Sequence, residues 1–353
     1  MIESLLQLPT YDCVFLSILL AFFLTCISLN LFMDKLPRDG GRQYAVNGAL
    51  SKGKPRGAGI IFIVIFTIIT ILFIPFQIET LIYLILIVCA MMSGYLDDRS
   101  NTPWGEYLKG IIDLVIAVST AYTFYNFNGS DITIPLLQQN FTIPPVIFIL
   151  LATILIWTSI NVTNCSDGVD GLCGTLSLAT LVSIFIFLEK FQSNTNFVFI
   201  ILIFVSCLLG YLWYNATPSR LIMGDAGSRA IGLFIAIAIL NSKSPFAYIP
   251  LSIVLILDGG LGLLKVTLLR FFKIRILKNI LTPIHDDLRK HRGWSDTQVV
   301  FRLTIIQTVI SFIYIFIVTS ILPWRKRSNK SSAAWVNSTI GVKPIVPAAP
   351  FKL

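Results

Sequence analysis

The sequence predicts an all-α polytopic membrane protein, with about ten transmembrane helices and a polar site gathered at their cytoplasmic ends. Three observations predict it. Hydrophobic residues make up 55% of the 353-residue chain and charged residues only 13%, against about 25% charged in a soluble domain. The mean hydropathy is +0.81, and the apolar residues come in blocks long enough to cross a bilayer. The charged residues collect in alternate connections between those blocks. This composition excludes a soluble globule, and the abundance of Phe, Ile and Leu excludes disorder.

The apolar blocks lie near residues 14–32, 58–76, 78–96, 110–127, 145–160, 172–188, 197–213, 230–240, 246–264 and 303–322, the eighth being the shortest. The N-terminal MIESLLQLPTYD has no basic stretch of the signal-peptide kind, so the first block is expected to be a retained span. Lys35, Arg38, Arg42, Lys52, Lys54 and Arg56 follow the first block. Arg99 and Lys109 follow the third, Arg220 and Arg229 the seventh, and a run from Lys265 to Arg292 the ninth. The opposite connections carry only Lys190 and Lys243. The excess of Lys and Arg marks the cytoplasmic side, which puts the N-terminus outside. Trp324-Arg-Lys-Arg327 falls outside by the same count, against the rule. Residues 1–323 are expected to form one transmembrane domain and 324–353 a basic, disordered tail. The six cysteines form no CxxC pair and read as packing residues. The net charge of +9 accompanies no basic stripe on a soluble reading fold, so no nucleic-acid partner is expected.

The unusual polar residues share the predicted cytoplasmic face although they span nearly the whole chain. Asp97 and Asp98 close the third block. Adjacent carboxylates repel, and a cation or a proton relieves the repulsion. Hard divalent cations such as Mg²⁺ take carboxylate and phosphate oxygens. After the fifth block come Asn161, Asn164, Asp167 and Asp170 in the sequence INVTNCSDGVDGL. Two carboxylates three residues apart share a helical face, asparagines offer donors and acceptors, and an Asx-rich turn capping the next helix is the bland alternative. Asp225 lies in MGDAGS, at a glycine-rich turn before the eighth block, where a metal or phosphate could bind. Both histidines, His285 and His291, lie in TPIHDDLRKHRGW, whose basic residues fit bound phosphate or an anionic lipid surface. Asp258 lies inside the ninth block, where an ionisable residue is either functional or hydrogen-bonded within the fold.

Carboxylates for Mg²⁺, basic residues for phosphate and a lipid phase alongside suit transfer of a phosphorylated group from a soluble donor to a lipid. A transporter is the rival class, but its charges belong at the membrane midplane, where only Asp258 is a candidate. Taken together, these motifs resemble the polyprenyl-phosphate N-acetylhexosamine-1-phosphate transferases, from about Pro55 to Arg302. The resemblance implies a ten-helix fold in the bacterial plasma membrane, dependence on Mg²⁺, and release of UMP as a sugar-1-phosphate passes from a UDP-activated amino sugar to a polyprenyl phosphate. It implies that Asp97 and Asp98 form the family's aspartate pair, one of which is expected to act catalytically on the acceptor, either by deprotonating the lipid phosphate for direct attack or by forming a covalent phosphosugar intermediate. Asn164, Asp167 and Asp170 match its NxxDGxDG motif, and Asp225 its magnesium-binding aspartate. Lys109 is similar to the basic residue that follows the pair, and Asn215 to a nucleoside-pocket asparagine. His285 is expected to orient or bind phosphate, and Asn161 to join the polar ligand's contacts.

Two branches of the family leave traces. Pro283, Ile284, His285, Gly293, Trp294 and Arg302 resemble the branch that moves phospho-N-acetylmuramoyl-pentapeptide to undecaprenyl phosphate. There the motif begins PIHHH, and here Asp286 and Asp287 replace the second and third histidines. Ile222 stands where many members have a phenylalanine that stacks on uracil. The Lys54-Pro-Arg-Gly-Ala-Gly59 segment is more similar to the branch that transfers N-acetylglucosamine-1-phosphate. The expectation is the pentapeptide reaction, with the amino-sugar reaction as its alternative and a homodimer left open.

Overall fold

A computed structural model describes residues 10–41, 51–100, 102, 104–191 and 195–340, with side chains described to residue 320 apart from the first few. Among the described residues, twelve α-helices follow in order: α1 Thr10–Phe32, α2 Gly59–Phe73, α3 Ile78–Arg99, α4 Glu106–Asn128, α5 Pro145–Cys165, α6 Leu172–Phe191, α7 Thr195–Asn215, α8 Gly224–Asn241, α9 Tyr248–Leu251, α10 Ile253–Phe272, α11 Ile284–Arg292 and α12 Asp296–Ile340. Eight of them, α1, α3 to α8 and α12, have the length and composition to cross a membrane unaided. This is the all-α polytopic architecture the sequence predicts. The last helix continues past Trp324 to Ile340, and the remainder of the expected tail, 341–353, lies outside the described residues. Arg42 also lies outside them.

Helix α8 is the centre of the bundle and packs against α2, α3, α5 and α6. Apart from Asp225 its residues are buried from Gly224 to Asn241, as a helix apolar on every side must be. Two glycines allow its neighbours this close. A Cβ on Gly59 of α2 would collide with the backbone of Gly227, and one on Gly94 of α3 with the backbone of Asp225. The outer helices instead turn large apolar residues toward the lipid. In α1, Phe15, Phe23, Ile27 and Leu31 are exposed while Cys13, Ala21 and Leu29 are buried.

Two elements depart from the expected pattern. The ninth apolar block, expected as one span over 246–264, is broken. The segments Pro245–Leu251 and Ile253–Phe272 meet at 93°, with Ser252 at φ −136° between them. Gln307 of α12 makes the break tolerable in an apolar setting. Its amide donates to the Pro250 carbonyl (3.3 Å), and its carbonyl accepts the Val254 N–H (2.8 Å). Non-helical backbone at membrane depth needs such partners. The second departure is a small antiparallel hairpin between α4 and α5, β1 Asp131–Ile134 and β2 Gln139–Thr142. Its alternating polar and β-branched residues favour a pleated pair, and Thr142 donates to Asp131 across it (2.6 Å).

Candidate active site

The polar residues singled out in the sequence come from six elements and meet at one end of the bundle. The C-terminus of α3 supplies Asp97 and Asp98, and the first turns of α4 supply Lys109. The end of α5 and the following turn supply Asn161, Asn164, Asp167 and Asp170. The N-terminus of α8 supplies Asp225, the end of α7 Asn215, and the start of α11 His285.

The three carboxylates at the centre have different environments. Asp98 is fully buried. It accepts from Arg56 Nε (2.8 Å) and from the backbone N–H groups of Asp225 and Ala226 (3.2 Å each). It thus satisfies the exposed donors and positive end of α8. Asp97 accepts the Trp104 N–H (2.7 Å) and is paired with Lys109. Asp225 is the most open, 16% exposed, and is ringed by cations. Lys109 Nζ lies at 3.4 Å, Arg56 Nη2 at 3.6 Å and Arg229 Nε at 3.8 Å. Arg229 is itself buried, held by Asp113 (3.2 Å) and Ser93 (3.3 Å).

Arg56 joins this group from the loop before α2. Its guanidinium also reaches Asp39 (3.2 Å), which accepts from the Ser51 hydroxyl (2.6 Å). The loop is fixed against the strand of chain that leads to Asp225. Ile222 N–H donates to the Pro55 carbonyl (2.8 Å), Ala58 N–H to Ile222 (3.1 Å), and Gly59 N–H to Met223 (3.1 Å). Burial works to lower the pKa of Arg56, but Asp98, Asp225, Asp39 and Asp167 outweigh it and raise the value, so the group stays charged. Ile222, at the position where many members carry an aromatic ring, is buried by the same pairing.

The DGVDG turn is tied down on two sides. Asp170 accepts from Lys54 Nζ (2.9 Å) and the Ser219 N–H (3.2 Å), and Lys54 also donates to the Ser219 hydroxyl (2.8 Å). Asn215 is buried beneath the turn. Its carbonyl accepts the Gly171 N–H (2.8 Å), and its amide donates to Leu221 O (2.9 Å). Asn164 donates to Ser228 of α8 (2.9 Å), whereas the Asn161 amide turns back on its own helix to the Trp157 carbonyl (2.9 Å).

His285 lies against the other side of the turn, where a Cβ on Gly168 would collide with its imidazole. Asp258 holds the ring, with Oδ2 2.8 Å from Nδ1. The two carboxylates that replace histidines have partners within their own segment. Asp286 pairs with Arg289 (2.5 Å), which also reaches Asp296 (3.1 Å). Asp287 accepts the Leu281 N–H (2.8 Å) and contacts His291 Nδ1 (2.8 Å). The Leu281 N–H, and then His291 against a small effect of burial, hold its carboxyl below the usual range.

Sequence reasoning missed Lys54, Arg56 and Arg229 as members of this site. Lys54 and Arg56 were visible as cytoplasmic loop cations and in a family-like Lys54–Gly59 segment, but nothing tied either side chain to the carboxylates. Arg229 reads in the sequence as a loop cation but lies in the first turns of α8, and its partner Asp113 lies inside an apolar helix, where a hydropathy window averages it away. Among the described residues, no three His, Cys, Asp or Glu side chains are gathered as a metal cage.

Fold and site define a membrane-embedded phosphotransferase. Residues 80–243 match the sequence profile of glycosyl transferase family 4, a stretch that takes in every expected site residue except His285. The chain is 38% identical over 308 residues to a phospho-N-acetylmuramoyl-pentapeptide-transferase of Treponema pallidum, covering 82% of this chain and 85% of that one. Enzymes with the same name from Clostridium botulinum (28% over 291 residues, 80% and 86% covered) and Dictyoglomus turgidum (26% over 302 residues, 83% and 94% covered) are also similar. The chain belongs to the phospho-N-acetylmuramoyl-pentapeptide-transferase family.

Proposed function

We propose that the protein transfers phospho-N-acetylmuramoyl-pentapeptide from its UDP donor to undecaprenyl phosphate at the cytoplasmic face, giving lipid I and UMP for peptidoglycan synthesis. One observation carries the reading beyond family membership. Asp225 is a partly open carboxylate at a helix N-terminus with Lys109, Arg56 and Arg229 within 4 Å. Such a centre suits a donor pyrophosphate whose charge grows as the bond to UMP breaks.

The donor set fits Mg²⁺, which binds through one or two carboxylates plus substrate phosphates rather than a protein cage. Asp225 would hold it, and the ion would neutralise charge on the leaving phosphate. Lys109 and Arg56 are placed to bind the phosphate oxygens. A lipid phosphate oxygen forms the new bond to the sugar-bearing phosphorus, and UMP departs with the old bridging oxygen. Burial and three hydrogen bonds engage Asp98, and Asp97 is held by Trp104 and Lys109. Both therefore favour positioning roles over a covalent aspartyl intermediate. Asp167 and Asp170 present the donor turn, with Asn164 bracing it against α8 and Asn215 supporting it from beneath.

The test is UMP release by purified protein with undecaprenyl phosphate, Mg²⁺ and either UDP-N-acetylmuramoyl-pentapeptide or UDP-N-acetylglucosamine. Turnover of the pentapeptide donor, lost in Asp225→Asn, is the expected result. Turnover of the amino-sugar donor alone assigns the chain to the other branch. Silence with both donors, from folded protein, overturns the reading.

A further inference from the structure

Asp258 is a carboxylate in an apolar helix that the proposed chemistry does not use. It is 1% exposed, and its partners are specific. Its Oδ1 accepts the backbone N–H of His285 (2.8 Å) and lies 3.1 Å from the ring Nδ1, while Oδ2 lies 2.8 Å from the same nitrogen. One carboxylate thus grips both the main chain and the ring of a residue 27 positions away. A carboxylate is an acceptor only, so the nitrogen facing it carries the proton. The opposite edge of the ring is different. Nε2 has no hydrogen-bond partner among the described residues, and the nearest carboxylate oxygen, on Asp286, is 3.8 Å away and already paired with Arg289. That edge packs against the DGVDG turn and fills the space that a side chain on Gly168 would take.

We propose that Asp258 is a positioning residue for the transfer reaction: it fixes the tautomer and ring plane of His285, so that Nδ1 holds the proton and Nε2 works toward the donor turn. A carboxylate behind a histidine plays this part wherever the far nitrogen must act. The proposal rests on the reading of this site as the transfer centre, but its main test does not.

The chain has only two histidines, so a His291→Gln background leaves a single imidazole to observe. In ¹⁵N-histidine spectra of that protein the proton is expected on Nδ1. Asp258→Asn keeps the shape and places an amide donor beside Nδ1, which drives the proton to Nε2. That variant is expected to lower kcat by about 10- to 100-fold with little change in KM. It should cost nothing further in a His285→Ala background, because the two residues act as one unit. A bare Nδ1 in the protein that keeps Asp258 overturns the proposal without any variant at that position. So does an equal loss of kcat from Asp258→Asn with and without His285. A protein silent with both donors would sink the transfer reading, and the spectrum would still decide the clamp.

Discussion

Arg56 binds Asp39 and Asp98 and stands 3.6 Å from Asp225, joining the first loop, α3 and α8 through one side chain. Removing it leaves a fully buried Asp98 with only backbone donors. Loss of one partner of a buried ion pair costs about 3–5 kcal/mol. Arg56→Ala is therefore expected to lower the thermal midpoint and to abolish UMP release. Arg56→Lys should recover stability in part and activity poorly, because an ammonium cannot reach three carboxylates as a planar fork does. An Arg56→Lys enzyme with wild-type kcat/KM would show that the fork is dispensable. Gly168→Ala addresses the other side of the site. The added methyl meets the His285 ring, and a displacement of about 1 Å at a reacting centre can cost 10²-fold. The expected result is a loss of that order in kcat, with a melt lowered by the overpacking of the buried ring. At this scale the sequence disclosed the residues whose types are unusual where they stand, such as Asp97, Asp98, Asp225 and His285. It hid Arg56, which looks like any basic loop residue until Asp98 and Asp225 are folded around it. Asp258 was visible as an intramembrane carboxylate, but its partner was not, since nothing in the sequence joins positions 258 and 285.

The helices were legible because hydropathy reports burial in lipid directly. The break between α9 and α10 was not, since a window average is blind to direction and the two pieces are both apolar. What holds the break is a single amide on α12. Gln307→Leu leaves the Pro250 carbonyl and the Val254 N–H without partners in an apolar interior, at about 1–3 kcal/mol for each group. Its melt in detergent is expected several degrees lower, with Asp225-dependent transfer retained below that temperature. An unchanged melt would mean that the break is held by its flanking packing. The hairpin β1–β2 escaped notice for a simpler reason: two strands of four residues are too short to stand out between long apolar blocks.

Across the whole molecule, six elements separated in sequence bring their polar residues to one end of the bundle, and the alternation of basic connections had already placed them there. Which loops touch one another was not legible, because that depends on glycine-limited packing around α8. The centre is built from ion pairs within the protein rather than from a metal cage. Chelation by EDTA is therefore expected to stop transfer while leaving the far-UV circular dichroism and the thermal midpoint unchanged. A large drop in the midpoint on chelation would instead reveal a structural ion.

Helix α2 is only 15 residues long, a rise of about 22 Å against a hydrocarbon core of about 30 Å. Its first residue, Gly59, meets the same turn of α8 as Gly94 of α3, and Gly94 lies more than a helical turn before α3 ends at Arg99. The loop that carries Lys54 and Arg56 therefore meets α3 at its last turn, where Arg56 binds Asp98. In the proposed reaction, a lipid phosphate at the edge of the bilayer would reach these cations without being lifted toward water. The water-borne donor of that reaction would then be the reactant that descends, with the short helix setting the level at which the two meet.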